Sequence, residues 1–530
     1  MKIKQLLMLM LMVGIAFSLS AQDASFYKRY AEKGDKEAMY HLAYCYLNGN
    51  GGVQQDYNQA TLWLTKSAKK NYAPSQVALA YCYLYGTGVM KDYKQAWDLT
   101  QKAVKQGNAG AHYLTAQMYK EGVHVPKNDS SYLAFLRSAA NLGDDDAQTE
   151  LGRLYLYGSE QPYVAQNIKD GLNLYYKAAE QNNGEALLQI GCFTRDGLDG
   201  YITKDPKKGY EYIKSAAQTG LPRAWFEYGY INLMGLGCEP DYTEAARYIA
   251  AAAEQEVPNA YKVLGDIYYY GLGVDADDTE AAKWYQKAVD EGYGNAYSQL
   301  AWMYLTGRGV AENESKGYAL YKEAADADYP EGNAGVGMCY ENGAGVAKNM
   351  YTASTYYKKA AEAGNAYSMF RLYNMYKEGE GVSKNTQEAI NYLRQSADLE
   401  NVNAMWALGV EYITGDILHS EPRTGMEYMR KAADNGNTFG AAILGTVYYT
   451  GEEPFEKDYA LAFKYLSQAV QNPTALEEDL LAEVYKNLGA CYRFGRGTEV
   501  NHSLASYYTE QAASLGDTKS FDAVKMLRNN

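Results

Sequence analysis

The stretch AYKVLGDIYYYGLGVDADDTEAAKWYQKAVDEG, residues 260–292, decides the fold because it is the unit that the rest of the chain repeats. Its first half carries one apolar helix stripe at the i, i+4, i+7 and i+8 spacing, formed by Ala260, Leu264, Ile267 and Tyr268. Gly271 can then take the left-handed conformation that ends a helix, and a second amphipathic helix follows. Two short helices cannot bury both stripes alone, so the sequence predicts that the unit stacks on further copies.

Thirteen copies of this unit run through the chain. Counted from the small residue that opens the first helix as position 1, they start at Ala38, Ser75, Ala111, Ala147, Ala186, Ala224, Ala260, Ala296, Gly332, Ser368, Ala404, Gly440 and Val484. Most intervals are 36 residues, and the four exceptions are 37, 39, 38 and 44. A fixed period of this length is typical of a stacked array and not of a compact globule.

The turn between the two helices has recurring slots. A GxGV sequence occupies it at 86–89, 271–274, 307–310, 343–346 and 379–382. Three residues after the Val, or after its equivalent, stands a residue that can cap the second helix: Asp56, Asp92, Asn128, Asp205, Asp241, Asp277, Asn313, Asn349 or Asn385. Four residues later stands a small residue that allows close helix approach, as at Ala60, Ala96, Gly209, Ala245, Ala281, Gly317, Ala353 and Ala389. Repeats four, five and eleven lack a clean GxGV, so we expect reshaped turns around 159–166 and 416–422.

This pattern, with LGxxY before a GxGV turn and WYxKA after it, resembles the Sel-one-like repeat (SLR) family, a relative of the tetratricopeptide repeats. The resemblance covers roughly 38–516. It implies an all-α fold, namely a right-handed α/α superhelical solenoid of about 13 helix-turn-helix repeats that serves as a protein-interaction scaffold. The resemblance does not name a partner.

The two ends of the chain differ from the array. Residues 1–21 have the features of a signal peptide, with Lys2 and Lys4 before an apolar run and small residues at 18–21. No Cys precedes Cys45, so we expect export to a periplasm or beyond without a lipoprotein anchor, and no transmembrane helix in the mature chain; an uncleaved anchor is the alternative. We expect a capping helix at 22–37, the repeat array at 38–518 and a second capping helix at 519–530. In the longest interval, Pro473 should end one helix, and the extra residues should lengthen the start of the next.

The amino-acid composition limits the kinds of partner that we expect. The net charge of −14 repels phosphate backbones, so we expect no nucleic-acid binding. Many of the 55 Tyr occupy position 9 of the first helix, where we expect the ring to pack between helices. Four of the six Cys share position 8, namely Cys45, Cys82, Cys339 and Cys491. Because equivalent positions of packed neighbours lie about 8 to 10 Å apart, too far for a disulfide, we expect buried free thiols.

Catalytic and metal motifs are not evident in the sequence. No strand precedes the GxG turn, which recurs in most repeats, so a helix hairpin explains it better than a phosphate loop does. The five His are scattered, without Cys or His companions at ligand spacing: His41, His112, His124, His419 and His502. No GxSxG, HExxH or Cys-His arrangement is present. We therefore expect a protein that is not an enzyme and that holds no cofactor or metal.

One helix face is a candidate binding surface. Positions 3, 7 and 10 of the first helix point away from the core stripe, and the resemblance implies that they form the inner, concave side. They carry many apolar and aromatic residues, of which the candidate partner-binding set is Tyr40, Tyr44, Tyr81, Phe226, Tyr230, Trp302, Trp406 and Val410. In the alternative interpretation, neighbouring first helices bury these rings against each other. Lys120, Arg195, Lys486 and Arg493 interrupt the row in copies three, five and thirteen.

Three functions fit these observations. The leading hypothesis is an exported, non-enzymatic scaffold that grips a protein or an extended peptide. The second is a receptor for glycans, such as peptidoglycan fragments, in which Trp and Tyr stack on sugar rings. The third is a hydrolase of cell-wall or lactam substrates, which rests only on activities linked with exported members of the family.

Overall fold

The computed structural model describes residues 23–161, 163–451, 453 and 455–516. The predicted signal peptide at 1–21 and the predicted capping helix at 519–530 lie outside these residues. The chain divides into two compact units, Met1–Asp277 and Asp278–Asn530, called unit 1 and unit 2 below.

The described residues form 27 α-helices. Those of unit 1 are α1 (Ala24–Ala31), α2 (Lys36–Asn48), α3 (Tyr57–Lys69), α4 (Ala73–Tyr85), α5 (Tyr93–Val104), α6 (Ala109–Glu121), α7 (Asp129–Asn141), α8 (Asp145–Tyr157), α9 (Ile168–Glu180), α10 (Gly184–Asp196), α11 (Pro206–Gln218), α12 (Pro222–Met234), α13 (Tyr242–Glu254) and α14 (Pro258–Tyr270). Those of unit 2 are α15 (Asp278–Asp290), α16 (Gly294–Thr306), α17 (Glu314–Asp326), α18 (Pro330–Asn342), α19 (Met350–Glu362), α20 (Ala366–Glu378), α21 (Thr386–Asp398), α22 (Val402–Thr414), α23 (Pro422–Asp434), α24 (Thr438–Thr450), α25 (Tyr459–Ala469), α26 (Glu478–Phe494) and α27 (His502–Ser514).

Helices α2 to α27 follow the 13 predicted repeats in order along the chain, and in each repeat the even-numbered helix comes first and the odd-numbered helix second. Within each unit, consecutive helices pack against one another. The helix α1 packs on α2 and buries Ala24, Tyr27 and Ala31. The predicted all-α solenoid of 13 helix-turn-helix repeats is therefore confirmed. Among the described residues, no helix combines the length and apolarity needed to cross a bilayer.

All 13 turns are closed by the same main-chain hydrogen bond. The N–H of the residue that precedes the second helix donates to the carbonyl of position 9 of the first helix, at 2.7 to 3.1 Å. The donors are Asp56, Asp92, Asn128, Asn167, Asp205, Asp241, Asp277, Asn313, Asn349, Asn385, Glu421, Asp458 and Asn501. Predicted caps also accept from an N–H in the first turn of their helix, as do Asp56, Asp92, Asn128, Asp205, Asp241, Asn313, Asn349 and Asn385.

The irregular turns lie where the sequence predicted them. In repeat four, an antiparallel hairpin of β1 (Ser159–Glu160) and β2 (Tyr163–Val164) fills the turn, and in repeat five Leu198 and Ile202 pair as an isolated bridge. In repeat eleven, Gly415 takes the same left-handed conformation as its counterparts. Ile417, however, stands where other turns have the second glycine, does not take a positive φ, and donates its N–H to Glu411 Oε2 at 3.3 Å. This turn is therefore reshaped, as predicted.

The longest interval behaves as predicted. The helix α25 ends at Ala469, and Pro473–Ala475 form a 3₁₀ turn. The next helix, α26, has 17 residues instead of the usual 13.

Small residues set the helix spacing. The predicted alanines after the caps are fully buried, as at Ala60, Ala245 and Ala389. A Cβ on Gly209 would lie 2.6 Å from the backbone N of Arg195, so the two helices of repeat five approach too closely for any side chain there.

The burial of the position 8 cysteines and the packing of the position 9 tyrosines agree with the sequence analysis. All six cysteines are free, and the four that share position 8 are buried. The position 9 rings stack on rings of the second helix, with interplanar angles of 15° for Tyr340 and Tyr356 and 13° for Tyr376 and Tyr392.

Candidate interaction surface

First helices lie on the inner side of each unit. Consecutive first helices contact one another appreciably at α4 and α6, α10 and α12, α16 and α18, and α24 and α26. In the part of the chain that the structure describes, no pair of consecutive second helices makes contact to the same extent. Because the helices of a curved array are closest on its inner side, positions 3, 7 and 10 face inwards within each unit.

The candidate residues on this inner face are half-buried, with one exception. Trp302 exposes 43% of its surface. The half-buried members are Tyr40, Tyr44, Tyr81, Phe226, Tyr230, Trp406 and Val410. Position 10 belongs to the core in the first two repeats, because Leu47 and Leu84 are buried. The inner face therefore keeps part of most aromatic rings accessible and is not sealed by its own side chains.

In unit 1 the inner face is rich in tyrosine. The Tyr40 ring lies 4.8 Å from that of Tyr44 and 5.7 Å from that of Tyr72, between centroids. Burial, followed by the charge of a neighbouring tyrosine, raises the pKa of Tyr40 far above its usual value. Burial likewise raises the pKa of Tyr81 and of Tyr113, and a carboxylate, Asp146, is the next cause for Tyr81. We call Tyr40, Tyr44, Tyr81 and Tyr113, at positions 3 and 7 of repeats one to three, the tyrosine strip; the first three rings are half-buried, and Tyr113 is buried.

Carboxylates adjoin the tyrosine strip at the start of α8. Burial raises the pKa of Asp144 to about 7 and that of Asp146 to about 6, with mutual repulsion among Asp144, Asp145 and Asp146 as a further cause. Asp144 Oδ2 lies 3.7 Å from the point where a Cβ on Gly110 would stand, which places this carboxylate beside the start of α6.

A buried glutamate links repeats three and four beneath the strip. Glu150 accepts hydrogen bonds from the Tyr113 hydroxyl at 3.0 Å and the Tyr132 hydroxyl at 2.8 Å, and also from Gln117 and Lys120. Although burial opposes ionisation, Lys120 and these donors hold the pKa of Glu150 below its usual value. Lys120, which interrupts the apolar row, thus neutralises a buried carboxylate of the next repeat.

Unit 2 contains two further buried glutamates that pair with a cation and a tyrosine hydroxyl across adjacent repeats. Glu341 accepts from the Tyr357 hydroxyl at 2.6 Å and pairs with Arg371 of the following repeat. Glu411, which is 2% exposed, accepts from the Tyr373 hydroxyl at 2.8 Å and from Lys377 at 2.5 Å. These charges join neighbouring repeats and are not free for a partner.

Large aromatic rings stand out on the remaining inner face of unit 2, which Lys486 and Arg493 interrupt in repeat thirteen. The Trp406 ring meets Phe439 edge-on at 5.9 Å, and Phe439 is 49% exposed. Trp302 is the most exposed of the candidate residues. The two units therefore present different chemistry, with tyrosine and carboxylate in unit 1, and tryptophan and phenylalanine in unit 2.

Packing explains the second glycine of the GxG turns. A Cβ on Gly88 would lie 2.1 Å from the carbonyl O of Tyr57, at the start of the second helix of the preceding repeat. The same approach recurs at Gly273, Gly309, Gly345 and Gly381. The turn is therefore filled by a neighbouring helix, which leaves no room for a phosphate at this point.

No metal cluster of three or more His, Cys, Asp or Glu side chains occurs within the described ranges. Burial and neighbouring acids raise the pKa of Cys192, the cysteine on the inner face, to about 12, which disfavours a reactive thiolate.

Sequence reasoning missed three parts of this surface. Tyr113 occupies the same position 3 as Tyr40, so the repeat phase could have identified it. Asp144 and Asp146 belong to a run of three aspartates at the start of a first helix, a signal visible in the sequence. Phe439 immediately precedes position 1 of its repeat and lies outside the positions that we considered.

Comparison with known proteins places the chain among repeat proteins. The Sel1 repeat matches residues 36–72, 73–108, 109–144, 145–183, 184–221, 222–257, 258–293, 294–329, 330–365, 366–401, 402–437, 439–472 and 482–517. The crystal structure of c5321, a protective antigen present in uropathogenic Escherichia coli strains that displays an SLR fold, is similar with a TM-score of 0.56 and 23% identity over 96% of this chain and 98% of that one.

Two curated proteins are also similar. Chitin synthase regulator SKT5 of Saccharomyces cerevisiae is 28% identical over 219 residues, which cover 39% of this chain and 31% of that protein. Sel1-repeat-containing protein YjcO of Escherichia coli is 25% identical over 233 residues, which cover 41% of this chain and 95% of that protein. The chain spans less than half the length of the first curated relatives that it matches, at 31% and 44%.

The repeat matches extend over most of the chain and coincide with the observed helix pairs. The chain belongs to the Sel1 repeat family, and it is a tetratricopeptide-like α solenoid with 13 Sel1 repeats.

Proposed function

We propose that this protein is an exported, non-enzymatic scaffold that binds a protein or an extended peptide on the inner face of its first helices. The observation that carries the proposal is the partial exposure of aromatic rings along that face, with Trp302 43% exposed and Phe439 49% exposed. Large aromatic side chains that keep accessible area supply much of the binding energy at protein interfaces.

The internal charges support the same function. The glutamates buried next to the inner face are already paired with Lys or Arg of adjacent repeats, as in Glu411 with Lys377. Such pairs fix the position of neighbouring first helices, so the aromatic rings between them are held in place before a partner arrives. A similar yeast protein is a chitin synthase regulator, so repeats of this kind occur in a protein that regulates another.

Site-specific crosslinking tests the proposal. A photoreactive phenylalanine analogue placed at Trp302 or Trp406 should capture a protein in the native cell, whereas the same analogue at Tyr351, which is 73% exposed on a second helix, should not. Capture at Tyr351 alone, or at none of the three positions, contradicts the proposal.

The alternative function, a glycan receptor, predicts loss of muropeptide binding instead of loss of protein binding. Soluble muropeptides should bind the purified protein and lose binding on Trp302→Ala and Trp406→Ala, with Tyr351→Ala as the matched control. Muropeptide binding of this kind without protein capture would replace the scaffold by a glycan receptor. Turnover of a lactam or a muropeptide by the purified chain would refute the non-enzymatic assignment.

Export is proposed from the sequence of residues 1–21 and is tested separately. N-terminal sequencing of the protein purified from its native cell should find a mature chain that starts near Gln22. A chain that retains Met1 in the cytoplasmic fraction contradicts export.

A further inference from the structure

The tyrosine strip of unit 1 ends at two carboxylates that have no counterion. Asp144 accepts a hydrogen bond from the backbone N of Ala147 at 2.8 Å, and Asp146 accepts one from Asn183 Nδ2 at 3.1 Å. Neither carboxylate forms an ion pair within the described residues of unit 1. Desolvated like charges without a cation destabilise the structure, so a cation supplied by a ligand would be favoured here.

The other charges near this end are already engaged or lie at its margin. Lys120 pairs with Glu150, and Arg153 is exposed at position 7 of repeat four. The Asp145 carboxylate accepts from Asn183 at 3.0 Å. The carboxylates at the start of α8 thus outnumber the cations available to them.

The opposite end of the strip is acidic as well. After burial, the charges of Glu37 and Asp35 raise the pKa of Tyr72, the ring that contacts Tyr40. Lys36 Nζ lies 5.5 Å from the Tyr72 ring centroid. A lysine of the protein itself therefore occupies a tyrosine face beside the strip, which is the contact that a basic ligand would repeat.

The size of the strip fits an extended chain. It crosses the first helices α2, α4 and α6 and reaches the start of α8, and packed helices lie about 10 Å apart, so its length is about 30 Å. An extended peptide rises about 3.3 Å per residue, so about nine residues span it. Rings in the middle and carboxylates at both ends suit Lys or Arg side chains, which combine charge with a contact to the ring face.

We propose that the tyrosine strip binds an extended basic segment of a partner protein, with Lys or Arg side chains against Tyr40 and Tyr81 and a cationic group between Asp144 and Asp146. This inference rests on the proposed scaffold function and specifies the partner chemistry for unit 1. It assigns the inner face of unit 2 no part in recognising the basic segment.

Peptide binding tests the proposal directly. The probes are fluorescent peptides of about ten residues with Lys at alternate positions, and two analogues in which Glu or Gln replaces Lys. The Lys peptide should bind the full chain by fluorescence anisotropy, more weakly at high salt because the contacts are ionic. Equal binding of the Gln or Glu peptide overturns the proposal.

Variants locate the site. Asp144→Asn with Asp146→Asn should weaken binding of the Lys peptide on the order of tenfold or more, since two charge contacts are lost. Asn retains the cap at position 144, so the variant should fold, which circular dichroism checks. Asp199→Asn, at an exposed aspartate outside the strip, is the matched control and should bind as the parent protein does. Undiminished binding by the double variant refutes the site.

Two tyrosine variants separate the contribution of ring contact to peptide binding from that of charge. Tyr81→Ala should weaken binding of the Lys peptide severalfold, whereas Tyr93→Ala, at a ring that is 47% exposed on a second helix, should not. If crosslinking at Trp302 captures a protein while the Lys peptide fails to bind, the scaffold function stands and the basic-segment inference falls. If the peptide binds the strip but no inner-face position captures a protein, the scaffold function falls instead.

Discussion

Replacing Gly345 by Ala should destabilise the array more than the same change at Gly364. Both glycines have positive φ, +70° and +88°, so both alanines pay about 1 to 2 kcal/mol for a left-handed conformation. A Cβ at Gly345 would also lie 2.4 Å from the carbonyl O of Glu314 and 2.7 Å from its carbonyl C, whereas a Cβ at Gly364 meets no atom within 4 Å. Backbone atoms at the start of α17 cannot rotate away, so overpacking adds about 1 to 3 kcal/mol at Gly345 alone.

The measurement is urea unfolding followed by circular dichroism. We expect a free energy of unfolding lower by about 2 to 5 kcal/mol for Gly345→Ala and by about 1 to 2 kcal/mol for Gly364→Ala. Because each repeat contacts only its neighbours, hydrogen exchange should rise first in α17 to α19. Equal losses for the two variants would refute the packing role that we assign to the second turn glycine.

Two further predictions concern buried carboxylates. Above pH 7, Asp144→Asn and Asp146→Asn together should raise the free energy of unfolding by at least about 2 kcal/mol. Burial raises both folded pKa values, so the native state ionises only near pH 6 to 7, whereas the unfolded chain ionises near pH 4. The gain should shrink as the pH falls through the folded pKa values and vanish near pH 3, where both states are protonated, and a constant gain in urea melts from pH 3 to 8 would contradict this. Glu411→Ala should cost about 2 to 4 kcal/mol, because Lys377 and the Tyr373 hydroxyl lose a buried acceptor. Glu411→Gln, which retains an acceptor oxygen, should lose less stability in urea melts, and identical losses would argue against the hydrogen-bonded pair.

Local signals in the sequence were sufficient for the architecture. The cap residues such as Asp56 act on the N–H groups next to them, and the apolar stripe of each helix repeats within one turn. The reshaped turn of repeat eleven has a local cause too, since Ile417 stands in place of the second glycine and does not take its positive φ.

The inner face was harder to predict because its state depends on residues of the next repeat. Leu47 and Trp302 occupy different positions of the same row, yet the first is 3% exposed and the second 43%. Lys120 reads as an interruption in the sequence, and only the fold shows that Glu150, 30 residues later, pairs with it. The phase of the repeat gives the direction of a side chain, whereas its burial and charge depend on contacts between copies.

The main-chain closure of the turns has a consequence for how this protein could be modified. In repeat four the hydrogen bond from Asn167 N to Tyr155 O measures 2.7 Å, although a β-hairpin has been inserted between the two residues. Neither group depends on side-chain identity, so the loop can lengthen while the helices keep their places. This edge is therefore a natural point for evolution to add, or for engineers to graft, new segments: a foreign epitope placed between β1 and β2 should be displayed without disturbing the stack.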